Sequence, residues 1–104
     1  MTPEQFIIAK ASEAIRTLYG VEMEPAQLQV QLTRKEFEGD YTLVVFPLLK
    51  ISKSSPENTG NAIGEYLKSN VPEIASYNTV KGFLNLSFSN IYWNGLFASI
   101  SSSE

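Results

Sequence analysis

The run Tyr41-Thr42-Leu43-Val44-Val45-Phe46 constrains the fold more than any other segment. It is apolar on both faces and rich in β-branched side chains, so it reads as a central strand. Such a strand has both faces covered, or has one face docked on another body. Pro47 cannot donate to a ladder, so pairing should end there. Just upstream, Leu28-Gln29-Val30-Gln31-Leu32-Thr33 alternates apolar and polar, the pattern of a half-buried strand. Residues 36–40 should turn the chain between the two strands. Gly39 allows positive φ, and Asp40 is suited to bonding the local backbone.

Helices flank this hairpin. Thr2-Pro3-Glu4-Gln5 carries a cap, a proline for the first turn and the glutamine of a capping box. Met1 and Phe6 sit where a hydrophobic staple forms. Apolar residues then recur at helical spacing until Gly20, predicting a helix over Pro3–Tyr19. Ser55-Pro56-Glu57 opens a second helix, which runs to about residue 69 with Ala62, Ile63, Tyr66 and Leu67 on its apolar face. Strands are expected over 74–81 and 83–88. A last helix over 90–100 would carry Ile91, Trp93, Leu96, Phe97 and Ile100, weakened by Gly95. The order α-β-β-α-β-β, followed by a C-terminal helix, predicts a two-layer α+β fold with an antiparallel sheet and helices mainly on one face. Residues 1–100 should form one domain, with 101–104 a tail or the start of a linker.

Composition excludes several chemistries. The 104 residues contain no cysteine and no histidine. Disulfide scaffolds, thiolate zinc sites, cysteine nucleophiles and histidine relays are therefore ruled out. Eight Lys plus Arg against eleven Asp plus Glu give a net charge of −3, too little base to grip nucleic acid by charge alone. No apolar run is long enough to span a bilayer and no signal-peptide pattern opens the chain, so a cytoplasmic protein without membrane contact is expected.

Three motifs have both a functional and a plainer reading. Lys50-Ile51-Ser52-Lys53-Ser54 resembles the lysine-rich loop that class I aminoacyl-tRNA synthetases place on ATP phosphates. The histidines of that family's partner motif are absent, and a polar connection between strand and helix explains the segment. Glu36, Glu38 and Asp40 surround a turn without the spacing of a calcium loop, so no metal site is expected. Lys81-Gly82-Phe83-Leu84-Asn85-Leu86-Ser87-Phe88 shares Lys81, Gly82, Phe83 and Phe88 with an RNA-recognition signature, but the order of elements does not fit that fold. Strand alternation puts Leu84, Leu86 and Phe88 on the core face and Phe83, Asn85 and Ser87 on the other. A ring to stack on a base and an amide to read its edge suit single-stranded RNA. The plainer alternative covers Phe83 with a neighbouring loop and leaves Asn85 solvated.

Taken together, Glu38-Gly39-Asp40-Tyr41, the helix opened by Ser55-Pro56-Glu57, and Val80-Lys81-Gly82-Phe83-Leu84-Asn85-Leu86 resemble the N-terminal additional domain of arginyl-tRNA synthetases. The resemblance runs from the first helix to about Phe88. It implies a domain that packs on the outer corner of arginine tRNA and reads the D-loop, with Phe83 stacking and Asn85 hydrogen-bonding. Lys81, beside them, is the candidate phosphate contact by position. No catalytic residue and no cofactor is expected in this stretch. ATP and Mg²⁺ would belong to a parent arginine–tRNA ligase, whose catalytic domain would follow in the same chain. Many members continue after Gly-Asp-Tyr into a helix, where this chain has the strand-like run ended by Pro47. The alternative from another class is a small acidic protein-interaction module docking through Trp93, Phe97 and the exposed strand face.

Overall fold

Local signals alone suffice to start the first helix. In α1 (Pro3–Tyr19), the Thr2 hydroxyl accepts from the Gln5 N–H at 3.1 Å, and the Gln5 side chain accepts from the Thr2 N–H at 2.9 Å. This is the capping box that the sequence predicts. Gly20 closes the helix, its N–H donating to the Arg16 carbonyl at 2.9 Å. Ile7, Ala11, Ala14 and Ile15 form the buried stripe. The computed structural model describes residues 2–92, so Met1 of the expected staple lies outside the described residues.

Four antiparallel strands follow the predicted order: β1 (Gln29–Leu32), β2 (Tyr41–Val44), β3 (Ile74–Val80) and β4 (Phe83–Phe88). In space they run β1-β2-β4-β3, which makes β2 and β4 the central pair. Between β2 and β3, the chain forms two helices, α2 (Leu49–Ser52) and α3 (Pro56–Asn70). α3 packs against β3 and β4, while α1 packs against α3, β1 and β2. The result is the expected two-layer α+β arrangement, with the core between helices and sheet. Leu43, Leu84 and Leu86 are wholly buried there beneath Ile7, Ile15, Ile63 and Leu67. Among the described residues, no helix is long and apolar enough to cross a membrane.

The structure departs from the sequence expectations after Val44. β2 stops there, two residues before the end of the apolar run. Val45 adopts helical backbone angles, donates to the Gly82 carbonyl at 3.0 Å, and leads into a 3-10 turn at Phe46–Leu48. Pro47 sits at the start of that turn, where a missing N–H costs nothing. Residues 47–54 are therefore not a plain polar connection. They are helical over Leu49–Ser52, and the buried Leu48 anchors them to the core.

α3 begins as predicted, with the Ser55 hydroxyl accepting from the Asn58 N–H at 3.1 Å. Its buried stripe is Thr59, Gly60, Ile63, Gly64 and Leu67, so Ala62 and Tyr66 are only half-buried. The small residues allow close contact with the sheet: a Cβ on Gly64 would stand 2.5 Å from the Tyr77 ring. The Tyr77 hydroxyl donates to Glu65 at 2.8 Å. That bond, aided by burial and the Glu65 charge, raises the Tyr77 phenol above its ordinary 10.0. Residues 90–92 are helical. The remainder of the predicted last helix, with Trp93 and Phe97, lies outside the described residues, as does the tail.

Candidate nucleic-acid interface

Pairing register shows what the helix-free face of the sheet presents. Gln29, Val44, Phe83 and Val80 stand side by side across β1, β2, β4 and β3. The next rank is wholly polar: Gln31, Thr42, Asn85 and Asn78. Phe83 and Asn85 thus lie on the face opposite the core, where alternation places them. Leu84, Leu86 and Phe88 are buried on the other side, as predicted.

Asn85 is nevertheless not at the surface. It is 1% exposed, which corrects the expectation of an amide standing free in solvent. The cover is the segment 33–40 between β1 and β2, which folds back over the polar rank. Gly39 makes this possible. At φ 140° it occupies a region that L side chains rarely adopt, and a Cβ there would stand 3.2 Å from the Asn85 Cβ and 3.1 Å from the Thr33 hydroxyl. Asp40 fastens the end of the segment. Its N–H donates to the Leu86 carbonyl at 2.7 Å, and its carboxylate accepts from the Phe88 N–H at 2.8 Å. Turn chemistry predicts that Asp40 bonds the local backbone. The structure instead sends it to β4, because β2 and β4 pair directly.

A directed hydrogen-bond chain holds this cover down. The Thr42 hydroxyl donates to the Asn85 side-chain carbonyl at 2.6 Å. With its one proton used there, Thr42 accepts from the Thr33 hydroxyl 2.9 Å away. The Asn85 amide then donates to the Asn78 side-chain carbonyl at 2.9 Å, and the Asn78 amide donates to the Glu38 backbone carbonyl at 2.8 Å. The chain starts on one end of the segment, crosses β2, β4 and β3, and returns to the other end. Every buried polar side chain in it has a partner, as a stable buried network requires.

Phe83 is half-buried. Phe46 meets it edge-on, with ring centroids 6.0 Å apart and planes at 88°. On another side, the Arg34 guanidinium lies 5.8 Å from the ring centroid, within cation–π range. Gln31, Arg34, Phe37, Thr42, Phe83 and Asn85 enclose a depression of about 10 Å³, room for one water and far too little for a base. Lys81 is exposed in the two-residue turn before β4, where Lys81 and Gly82 have φ of 48° and 85°. Positive φ at both positions fits the hairpin turns favoured between twisted strands, although a lysine rarely occupies one.

The structure thus brings Phe83 and Asn85 together and places Lys81 at the adjoining turn. Sequence reasoning missed Phe37, Thr42 and Asn78, and counted Arg34 only among the basic residues that could meet a phosphate, with Lys53 and Lys35. Thr42 and Asn78 left faint signals as polar residues within strands, whereas nothing local placed Arg34 over the Phe83 ring. Among the described residues, no group of three or more acidic residues could hold a metal ion.

Comparison with known proteins agrees with this architecture. The family model described as "Arginyl tRNA synthetase N terminal domain" matches residues 5–88. The arginine–tRNA ligase of Bacteroides thetaiotaomicron is 46% identical over 104 residues, covering 100% of this chain and 17% of that relative. That of Phocaeicola vulgatus is 50% identical over 101 residues, covering 96% of this chain and 17% of the relative. The chain therefore spans about a sixth of the length of these relatives. Among solved structures, Thermus thermophilus arginyl-tRNA synthetase shares the fold at a TM-score of 0.69 and 21% identity, over 88% of this chain and 15% of that one. With the family model matching most of its length, the chain belongs to the arginyl-tRNA synthetase N-terminal domain family.

Proposed function

We propose that this domain binds arginine tRNA at the outer corner, with Phe83 stacking on a base of the D-loop and Lys81 meeting a neighbouring phosphate. The observation that carries the proposal is the half-buried Phe83 on the helix-free face, with a guanidinium held over its ring. Base–aromatic stacking of this kind is the usual way to hold unpaired RNA. Asn85 would offer its remaining amide hydrogen to the base edge once the depression widens, because its other contacts are already made. The parent chain would be a cytoplasmic arginine–tRNA ligase that joins arginine to its tRNA. ATP and Mg²⁺ would belong to its catalytic domain. The rival protein-docking reading rests on the strand face and on Trp93 and Phe97, which lie outside the described residues.

Titrating labelled arginine tRNA with this chain tests the proposal. Only eight basic residues exist, and Lys10 and Arg16 already face Glu13 and Glu22. About two to four phosphate contacts are therefore expected, giving a slope of log K against log salt of about −1.5 to −3.5. With a net charge of −3, binding should be weak, about 10⁻⁴–10⁻⁶ M. A slope steeper than about −6 would require a basic surface that the chain lacks.

A further inference from the structure

The segment 33–40 is built as more than a cover. It carries Arg34 to the Phe83 ring, and its two ends are tied to the sheet through Thr33 and the Glu38 carbonyl. Among the described residues, Arg34 has no carboxylate partner, in contrast to Arg16, which reaches Glu22 at 3.9 Å. An exposed guanidinium held over an aromatic ring, with its charge unneutralised, is placed to meet an anion arriving with a base. The depression between Arg34, Phe37 and Phe83 is too small to admit that base as it stands. The guanidinium must therefore move aside when the ring is used, and the nucleotide's own phosphate is the nearest new partner it could gain.

Resting on the RNA-binding function proposed above, the geometry points to the segment 33–40 as a second wall of the RNA site. Arg34 contacts the phosphate of the nucleotide stacked on Phe83. Asn78 and Asn85 are positioning residues: they hold the segment, and hence Arg34, at the ring. Asn78 is the cleaner member to perturb, because it does not line the depression and reaches the segment only through the Glu38 carbonyl and Asn85.

The test measures tRNA binding and aminoacylation by the full-length ligase carrying this domain, for Arg34→Gln, Asn78→Ala, their double variant and Phe83→Ala. Arg34→Gln removes an exposed charge, so folding is preserved. It should flatten the salt slope by about 0.7–0.9, the loss of one phosphate contact. Asn78→Ala should raise KM for tRNA while kcat at saturating tRNA stays unchanged, and should flatten the slope in the same direction. In the Arg34→Gln background, Asn78→Ala should add no further loss, because both act on one contact. An unchanged slope for Arg34→Gln overturns the inference, whatever Asn78→Ala does. Additive losses overturn the positioning role. If Phe83→Ala weakens binding while Arg34→Gln leaves it intact, only the second wall fails; if Phe83→Ala is silent, the RNA reading itself fails.

Discussion

Leu84→Ala is expected to destabilise the domain by about 2–5 kcal/mol, read as a shift of the urea midpoint at unchanged slope. Leu84 is wholly buried in the central strand β4, flanked in register by Leu43 on β2 and Thr79 on β3. Truncation removes transfer free energy and leaves a cavity that a sheet fixed on both sides can close only in part. Against a typical total of about 5–15 kcal/mol, the loss would be a large share of the stability. A shift below about 1 kcal/mol would mean that the core face of β4 had been misassigned.

Asn85→Ala should also destabilise the domain, even though the residue lies on the opposite face. The substitution removes the acceptor for the Thr42 hydroxyl and the donor to Asn78. Thr42 is 3% exposed, and with Asn85 gone it can turn its proton only to the Thr33 hydroxyl 2.9 Å away, so it recovers part of the loss. Asn78 is half-buried and recovers part of its loss from solvent. The sum is about 1–3 kcal/mol. Thr42→Val offers a check, since it deletes the hydroxyl that loses its Asn85 acceptor. The double variant should be less destabilised than the two single changes added together, and strict additivity would argue against the chain of bonds.

How much of this was legible in the sequence depended on range. α1 was, because a cap, a proline, a capping-box glutamine and an apolar stripe all lie within one segment. The two faces of β4 were, because alternation needs only the strand itself. The burial of Asn85 was not. Alternation assigns a side chain to a face but says nothing of what lies over that face. The cover comes from residues 33–40, more than forty positions earlier, through bonds such as Asn78 to Glu38 and Thr42 to Asn85. The short α2 escaped for a different reason: four residues are too few to show a helical period, and Pro47 reads as a breaker when it is in fact opening a turn. The stripe of α3 was half legible, since Gly60 and Gly64 carry no hydrophobic signal and mark only closeness to Thr79 and Tyr77.

The claim that organises the site is that Phe83 stacks on a base of the tRNA. The most direct measurement compares kcat/KM for arginine tRNA between the wild-type full-length ligase and its Phe83→Ala variant, with folding checked by urea denaturation. Loss of one stacking contact should lower kcat/KM for tRNA by roughly 5- to 150-fold, equivalent to about 1–3 kcal/mol, while KM for arginine and ATP stays unchanged. Removing the stacked D-loop base from the tRNA should produce a similar loss in the wild-type enzyme and little more in the variant. A folded Phe83→Ala enzyme that uses tRNA as well as the wild type would contradict the account.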